Sequence, residues 1–139
     1  MPISYRLKVD LTKYLEEHMF EFDNSFDELS DNHDIYRETV LPLVAETFKG
    51  AKTTCFAYGQ TGSGKTFTMM GTPDGSVPGL YLLAADDVIR FLDMYTDLEL
   101  LLSFYEIYCG KLYDLLNNRG EVHCREDGKQ KVNIVNLTE

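Results

Sequence analysis

Tryptophan is absent from this chain, and no apolar run approaches the roughly 18–20 residues that a membrane span requires. The opening stretch "MPISYRLKVDLTKY" also lacks the apolar centre of a secretion signal. Cysteine is scarce: Cys55, Cys109 and Cys124 are an odd set of three with no C-x-x-C spacing. That argues against a disulfide framework or a thiolate zinc site, and for reduced thiols in the cytosol. His18, His33 and His123 are scattered, without metal-ligand spacing. Basic residues are the other scarcity. Lys+Arg number 13 against 23 Asp+Glu, a net charge of −10. Such a chain is repelled by nucleic acid and other acidic polymers unless its few cations gather on one face.

What remains is globular in kind. With 139 residues, 44% hydrophobic and 12% aromatic, the chain is one domain or a piece of one, 1–139, without repeats or low-complexity tracts. Alternation over Met19–Phe26 predicts a short strand. "SDNHDIYRETVLPLVAETFKG" predicts a helix capped by Asp31 or Asn32. Its apolar stripe is Ile35, Val40, Leu43, Val44 and Phe48, Gly50 stops it, and Pro42 should bend or break a turn. Thr53–Gly59, "TTCFAYG", is β-branched and aromatic and predicts a buried strand. "KTFTMM" can form only a short helix before "GTPDGSVPG" breaks it, and "LYLLAADDVIRFLDMY" resumes one, with Asp86 and Asp87 on its solvated face. Leu98–Tyr108 is apolar on both faces and predicts a central strand. Two alternating runs around Asp127-Gly128 predict a hairpin. The order gives an α/β layout with an antiparallel hairpin appendage.

The chemistry lies in Gly59-Gln60-Thr61-Gly62-Ser63-Gly64-Lys65-Thr66, which fits G-x-x-x-x-G-K-[ST] between a predicted strand and a predicted helix. Glycines let successive backbone N–H groups converge on phosphate oxygens, where side chains would block the approach. The following helix points its positive end at the same anion. Lys65 can reach the β- and γ-phosphates, and the Thr66 hydroxyl can take Mg²⁺. The bland reading, a Gly/Ser-rich loop with an incidental lysine, does not explain this context.

"FAYGQTGSGKTFTMMG", Phe56–Gly71, resembles the ATP-binding loop of kinesin motor domains. "FDNSFDELSDNHDIY", "LLLSFYEIYCGKLYDLL" and "VHCREDGKQKVNIVNLTE" resemble further kinesin segments in the same order, so the likeness covers nearly the whole chain. It implies a phosphate-loop NTPase three-layer sandwich, here incomplete, and binding of ATP or ADP with Mg²⁺ through Gly59–Thr66, with Phe67 packing beside the nucleotide. It implies microtubules as partner, no nucleic acid or membrane, and a place in the cytoplasm on the cytoskeleton. "KVDLTKY" and "GLYLLAADDV" are similar to the internal-motor kinesins, which depolymerise microtubule ends. In that subfamily Lys-Val-Asp is associated with depolymerisation, which here falls on Lys8, Val9 and Asp10.

The departures carry expectations of their own. The Arg-x-Arg-Pro segment that packs on adenine in the family, and the two switch segments Asn-x-x-Ser-Ser-Arg-Ser-His and Asp-Leu-Ala-Gly-Ser-Glu, have no counterpart in these residues. Hydrolysis needs groups that position water and stabilise the departing charge, and losing one commonly costs ~10²–10³ in rate. Weak or no ATPase activity is therefore expected of these residues alone, with little grip on tubulin. An incomplete sheet would expose apolar edges, which favours self-association or a companion chain. The readings are thus the ATP-binding part of a microtubule motor or depolymerase, or a nucleotide- or partner-binding module without motor activity. A nucleotide kinase would need an arginine-rich lid, and Arg90, Arg119 and Arg125 are too dispersed to form one.

Overall fold

A computed structural model describes the backbone of residues 4–7 and 13–16 and the whole of residues 18–139. Ser4–Leu7 (β1) and Lys13–Glu16 (β2) pair antiparallel, with Ser4 opposite Glu16 and Leu7 opposite Lys13. The chain groups into two compact units, Met1–Phe91 and Leu92–Glu139.

The first unit is built on helices. Asn32–Ile35 (α1) starts at Asp31, whose carboxylate accepts from the Asp34 amide while Asp34 reaches back to the Asp31 amide, a reciprocal capping box. The helix then widens into a π-helical turn, Tyr36–Val40, before Leu41–Thr47 (α2). Pro42 explains the widening. It has no N–H to give to the preceding turn, and its ring would press on the carbonyl four residues back. The Leu41 amide reaches instead to Tyr36 O, five residues back. Gly50 ends the segment at φ +91°, as expected of a left-handed stop.

Lys65–Met70 (α3) follows the glycine-rich loop, and Leu80–Leu92 (α4) begins after the 71–79 turn. Tyr36, Val40 and Val44 recur at helical spacing and bury against Leu80. Leu83, Ala84, Val88 and Phe91 of α4 close the cluster from the other side, with the Phe48 and Phe91 rings 5.4 Å apart. Fully burying such a side chain stabilises by roughly 1.5–3 kcal/mol.

The second unit is an antiparallel sheet. Tyr105–Tyr108 (β3), Lys111–Asp114 (β4), Gly120–Glu126 (β5) and Val132–Val135 (β6) pair in chain order. The hairpin expected at Asp127-Gly128 is β5–β6, with Cys124 opposite Ile134. Asp127 closes its loop, since Oδ1 accepts from the Lys129 and Lys131 amides.

Three expected strands differ. Thr53–Gly59 forms no ladder and lies open, with Phe56 79% and Tyr58 95% exposed. Leu98–Tyr108 is strand only over its last four residues, and these pair antiparallel at Tyr105↔Asp114 rather than centrally. Met19–Phe26 is irregular, and the chain turns after it on Asp27, whose Oδ1 accepts from the Leu29 and Ser30 amides. The cause is shared. β-forming side chains make a strand only where a neighbouring ladder satisfies the backbone, and no described segment supplies one to Met19–Phe26, to Thr53–Gly59 or to residues 98–104.

Candidate functional site

The Gly59–Thr66 loop is ordered by its own chemistry. The Ser63 amide donates to Gln60 O at 3.2 Å, making the turn. Gly62 (φ +82°) and Gly64 (φ +88°) stand in the left-handed region, which costs other residues about 1–2 kcal/mol. At neither would a Cβ meet an atom within 4 Å, so conformation, not crowding, requires glycine there, and the space over both stays open. At Gly59 a Cβ would stand 2.5 Å from Ser63 Oγ, so the Ser63 hydroxyl would have to turn aside.

Gly64 caps α3, so Lys65 and Thr66 are its first two residues. Helical geometry leaves the first amides of α3 without partners inside the helix. Among the described residues, no hydrogen bond claims the amides of Gly62, Gly64, Lys65 or Thr66. The half-buried Lys65 folds back across the loop, its Nζ donating to Gly59 O at 2.8 Å and Gln60 O at 2.7 Å. One ammonium proton remains for another acceptor. A row of unclaimed N–H donors beside a cation is the donor set a polyphosphate needs, and it offers nothing to a cationic ligand. The residues present therefore fit a nucleotide phosphate, and the exposed Thr66 is free to present its hydroxyl to a cation. Phe67 is 49% exposed, with its side chain open to a ligand.

Of the residues singled out in the sequence, Gly59, Gln60, Thr61, Gly62, Ser63, Gly64, Lys65, Thr66 and Phe67 stand together in this turn and helix start. Lys8, Val9 and Asp10 lie outside the described residues. An open depression of ≈390 Å³ lined by Phe22, Asp23, Asn24, Phe26, Glu38 and Thr39 includes none of the loop residues.

Two side chains escaped the sequence reading. Asn32, 3% exposed, sends Nδ2 to Phe67 O at 3.2 Å and to Pro78 O at 3.0 Å. Asp87 does not stand on a purely solvated face, since its Oδ2 accepts from the Tyr36 hydroxyl. Their partners lie 35, 46 and 51 residues away in the chain, beyond any local pattern. Among the described residues, no helix is long and apolar enough to cross a membrane.

Residues 4–139 match the family model described as the kinesin motor domain. The chain is 52% identical over 134 residues to human kinesin-like protein KIF24, covering 94% of this chain and 10% of that protein. The mouse KIF24 protein matches at the same identity and coverage. The chain thus spans about a tenth of the length of these curated relatives. Among solved structures, it superposes on a KIF14 dimer in the two-heads-bound state, with AMP-PNP and in complex with a microtubule. The TM-score is 0.73 at 28% identity, covering 96% of this chain and 40% of that one. The α/β motor-domain fold is therefore present in part.

Proposed function

The chain belongs to the kinesin motor-domain family, and we propose that its residues 1–139 are the nucleotide-holding part of a kinesin-like microtubule motor or depolymerase. The observation that carries this is the Gly59–Thr66 turn, where unclaimed amides on left-handed glycines stand beside the Lys65 ammonium. In this reading the amides of Gly62, Gly64, Lys65 and Thr66 cradle the phosphates of ATP or ADP, and Lys65 leaves Gly59 O or Gln60 O for a β- or γ-phosphate oxygen. Thr66 takes Mg²⁺ through its hydroxyl, and Phe67 flanks the nucleotide. Bound Mg-ATP supplies a γ-phosphoryl group already neutralised in part by the cation. These residues orient it and hold its charge. They include no group we assign to positioning water, so hydrolysis by them alone should be weak.

A microtubule partner and a cytoskeletal place are supported by the family and by the KIF14 complex with a microtubule. We assign Lys8, Val9 and Asp10 to microtubule contact from their likeness to internal-motor kinesins. The grip of this portion should be poor, because its net charge is −10 and tubulin is acidic. A second reading, a binding module without motor activity, is favoured by the open apolar runs. Phe56 and Tyr58 of one, and Leu101 and Leu102 of the other, are 63% exposed or more, and suit a second copy or a companion chain.

Calorimetry of Mg-ATP binding to the chain and to Lys65→Ala, with phosphate release followed with and without microtubules, tests these readings. Binding lost in the variant, with negligible release, is the expected result. Microtubule-stimulated release would sink the claim of impaired hydrolysis, and equal binding by both chains would sink the assigned site.

A further inference from the structure

α3 presents Lys65 and Thr66, yet it has no buried residue of its own, and only Met69 touches the edge of the apolar cluster. Packing alone therefore holds it lightly, and a polar contact does the rest. Among the described residues of the first unit, Asn32 is the one buried polar side chain. It stands at the first position of α1, next to the Asp31 cap. Both of its acceptors are carbonyls, so only the amino end of the carboxamide can face them, and both N–H bonds are used.

These acceptors are the two ends of one device. Phe67 O belongs to α3 and also accepts from the Gly71 amide at 2.8 Å, closing that helix. Pro78 pairs across an isolated bridge with Gly71, and the next residue's carbonyl, Gly79 O, accepts from Leu82 and Leu83 at the start of α4. The chain folds back so closely that a Cβ on Gly79 would run into Met69 O and the Met70 and Gly71 backbone. Asn32 thus pins the end of α3, and the mouth of the 71–79 turn, to α1.

Resting on the nucleotide reading of Gly59–Thr66, we propose that Asn32 is a positioning residue for the phosphate loop. By holding α3 it fixes where Lys65 and Thr66 stand. A side chain that was only filling a polar gap would affect stability without a preference for α3. Replacing it with alanine leaves Pro78 O without its donor and removes one of the two bonds on Phe67 O. Val44→Ala is the matched control, since it loosens the same unit from its apolar cluster.

The test measures amide exchange and Mg-ADP affinity on both variants. Asn32→Ala should speed exchange at Thr68 and Gly71 about tenfold more than at Phe48, and weaken Mg-ADP binding about tenfold. Val44→Ala should speed exchange at Phe48 at least as much as at Gly71 and leave affinity within about twofold. Equal Mg-ADP binding by the unaltered chain and Asn32→Ala, or exchange that rises evenly along the unit, would overturn the proposal. If the unaltered chain binds no Mg-ADP, the nucleotide reading fails, and preferential exchange at Thr68 and Gly71 still decides whether Asn32 holds α3. Should Asn32→Ala not fold, the Asn32 side-chain amide protons of the unaltered chain decide: slow solvent exchange supports the clamp and fast exchange overturns it.

Discussion

The Tyr36 hydroxyl donates to Asp87 Oδ2 across 2.8 Å, tying the π-helical turn to α4. Tyr36 is 6% exposed, and the other oxygen of Asp87 accepts from Arg90 at 3.3 Å. Burial first, and the Asp87 hydrogen bond and charge second, raise the phenol well above the ordinary tyrosine value. A raised native value means that the folded chain keeps this proton where the unfolded chain releases it. The stabilisation is whole below the unfolded value of about 10 and is lost as pH climbs from there toward the native one. Tyr36→Phe keeps the ring but not the bond, which should cost about 1.5 kcal/mol near neutral pH. Urea unfolding from about pH 9 to 11 should show the variant losing less stability than the unaltered chain. Parallel losses in the two chains would refute the assignment.

The return of the chain onto α3 depends on two glycines, Gly79 for want of space and Gly75 for its backbone conformation. Gly79→Ala places a methyl against the Met69 carbonyl and the Met70 backbone and should cost about 3 kcal/mol. Gly75→Ala, at φ +74° with nothing within 4 Å, meets only the left-handed penalty of about 1–2 kcal/mol. Urea midpoints of the two variants should fall in that order. A reversed order would mean that the turn opens freely away from α3.

Much of this was legible locally. Asp31 announces its cap because an Asp three residues on can answer it, and Val40 and Val44 announce a buried face by spacing. Asp127-Gly128 marks a real hairpin, and the glycine-lysine-threonine order marks a real turn. Phe56, Tyr58, Leu101 and Leu102 read as buried strand because their side chains favour one, yet burial belongs to a neighbour and not to the run itself. Asn32 looked like a spare cap because both its partners are brought to it by the 71–79 turn. The place of Lys65 beside the glycine turn was legible, but its rest on Gly59 O and Gln60 O was not, being set by the path of the loop.

In the antiparallel unit, the fully buried Asp114 accepts from the Leu116 amide through Oδ1 and from the Thr138 amide through Oδ2, each at 2.8 Å. The Thr138 side chain first, then the amides, hold this carboxyl below its ordinary value against the opposing effect of desolvation. A lowered native value gives stability that is present above the unfolded value of about 4 and is lost as pH falls through the native one. Asp114→Asn should therefore be less stable at pH 7 but should lose less than the unaltered chain between about pH 5 and 3. Thermal unfolding across that window checks it, and identical acid losses would remove Asp114 from the account.

Thr66 gives the sharpest check on the assigned cation. Its side chain is exposed and, among the described residues, makes no hydrogen bond that α3 needs. Thr66→Ala should therefore leave folding intact while weakening Mg-ATP binding about tenfold, equivalent to roughly 1.4 kcal/mol. Chelating the metal separates cation from phosphate. With EDTA the unaltered chain should bind ATP more weakly than before, and Thr66→Ala should bind it equally well, because the hydroxyl no longer has a cation to hold. Lys65→Ala should stay weak under both conditions, since its contact is with phosphate. If Thr66→Ala remains weaker in EDTA, the hydroxyl bonds phosphate directly and the cation must be held by other residues.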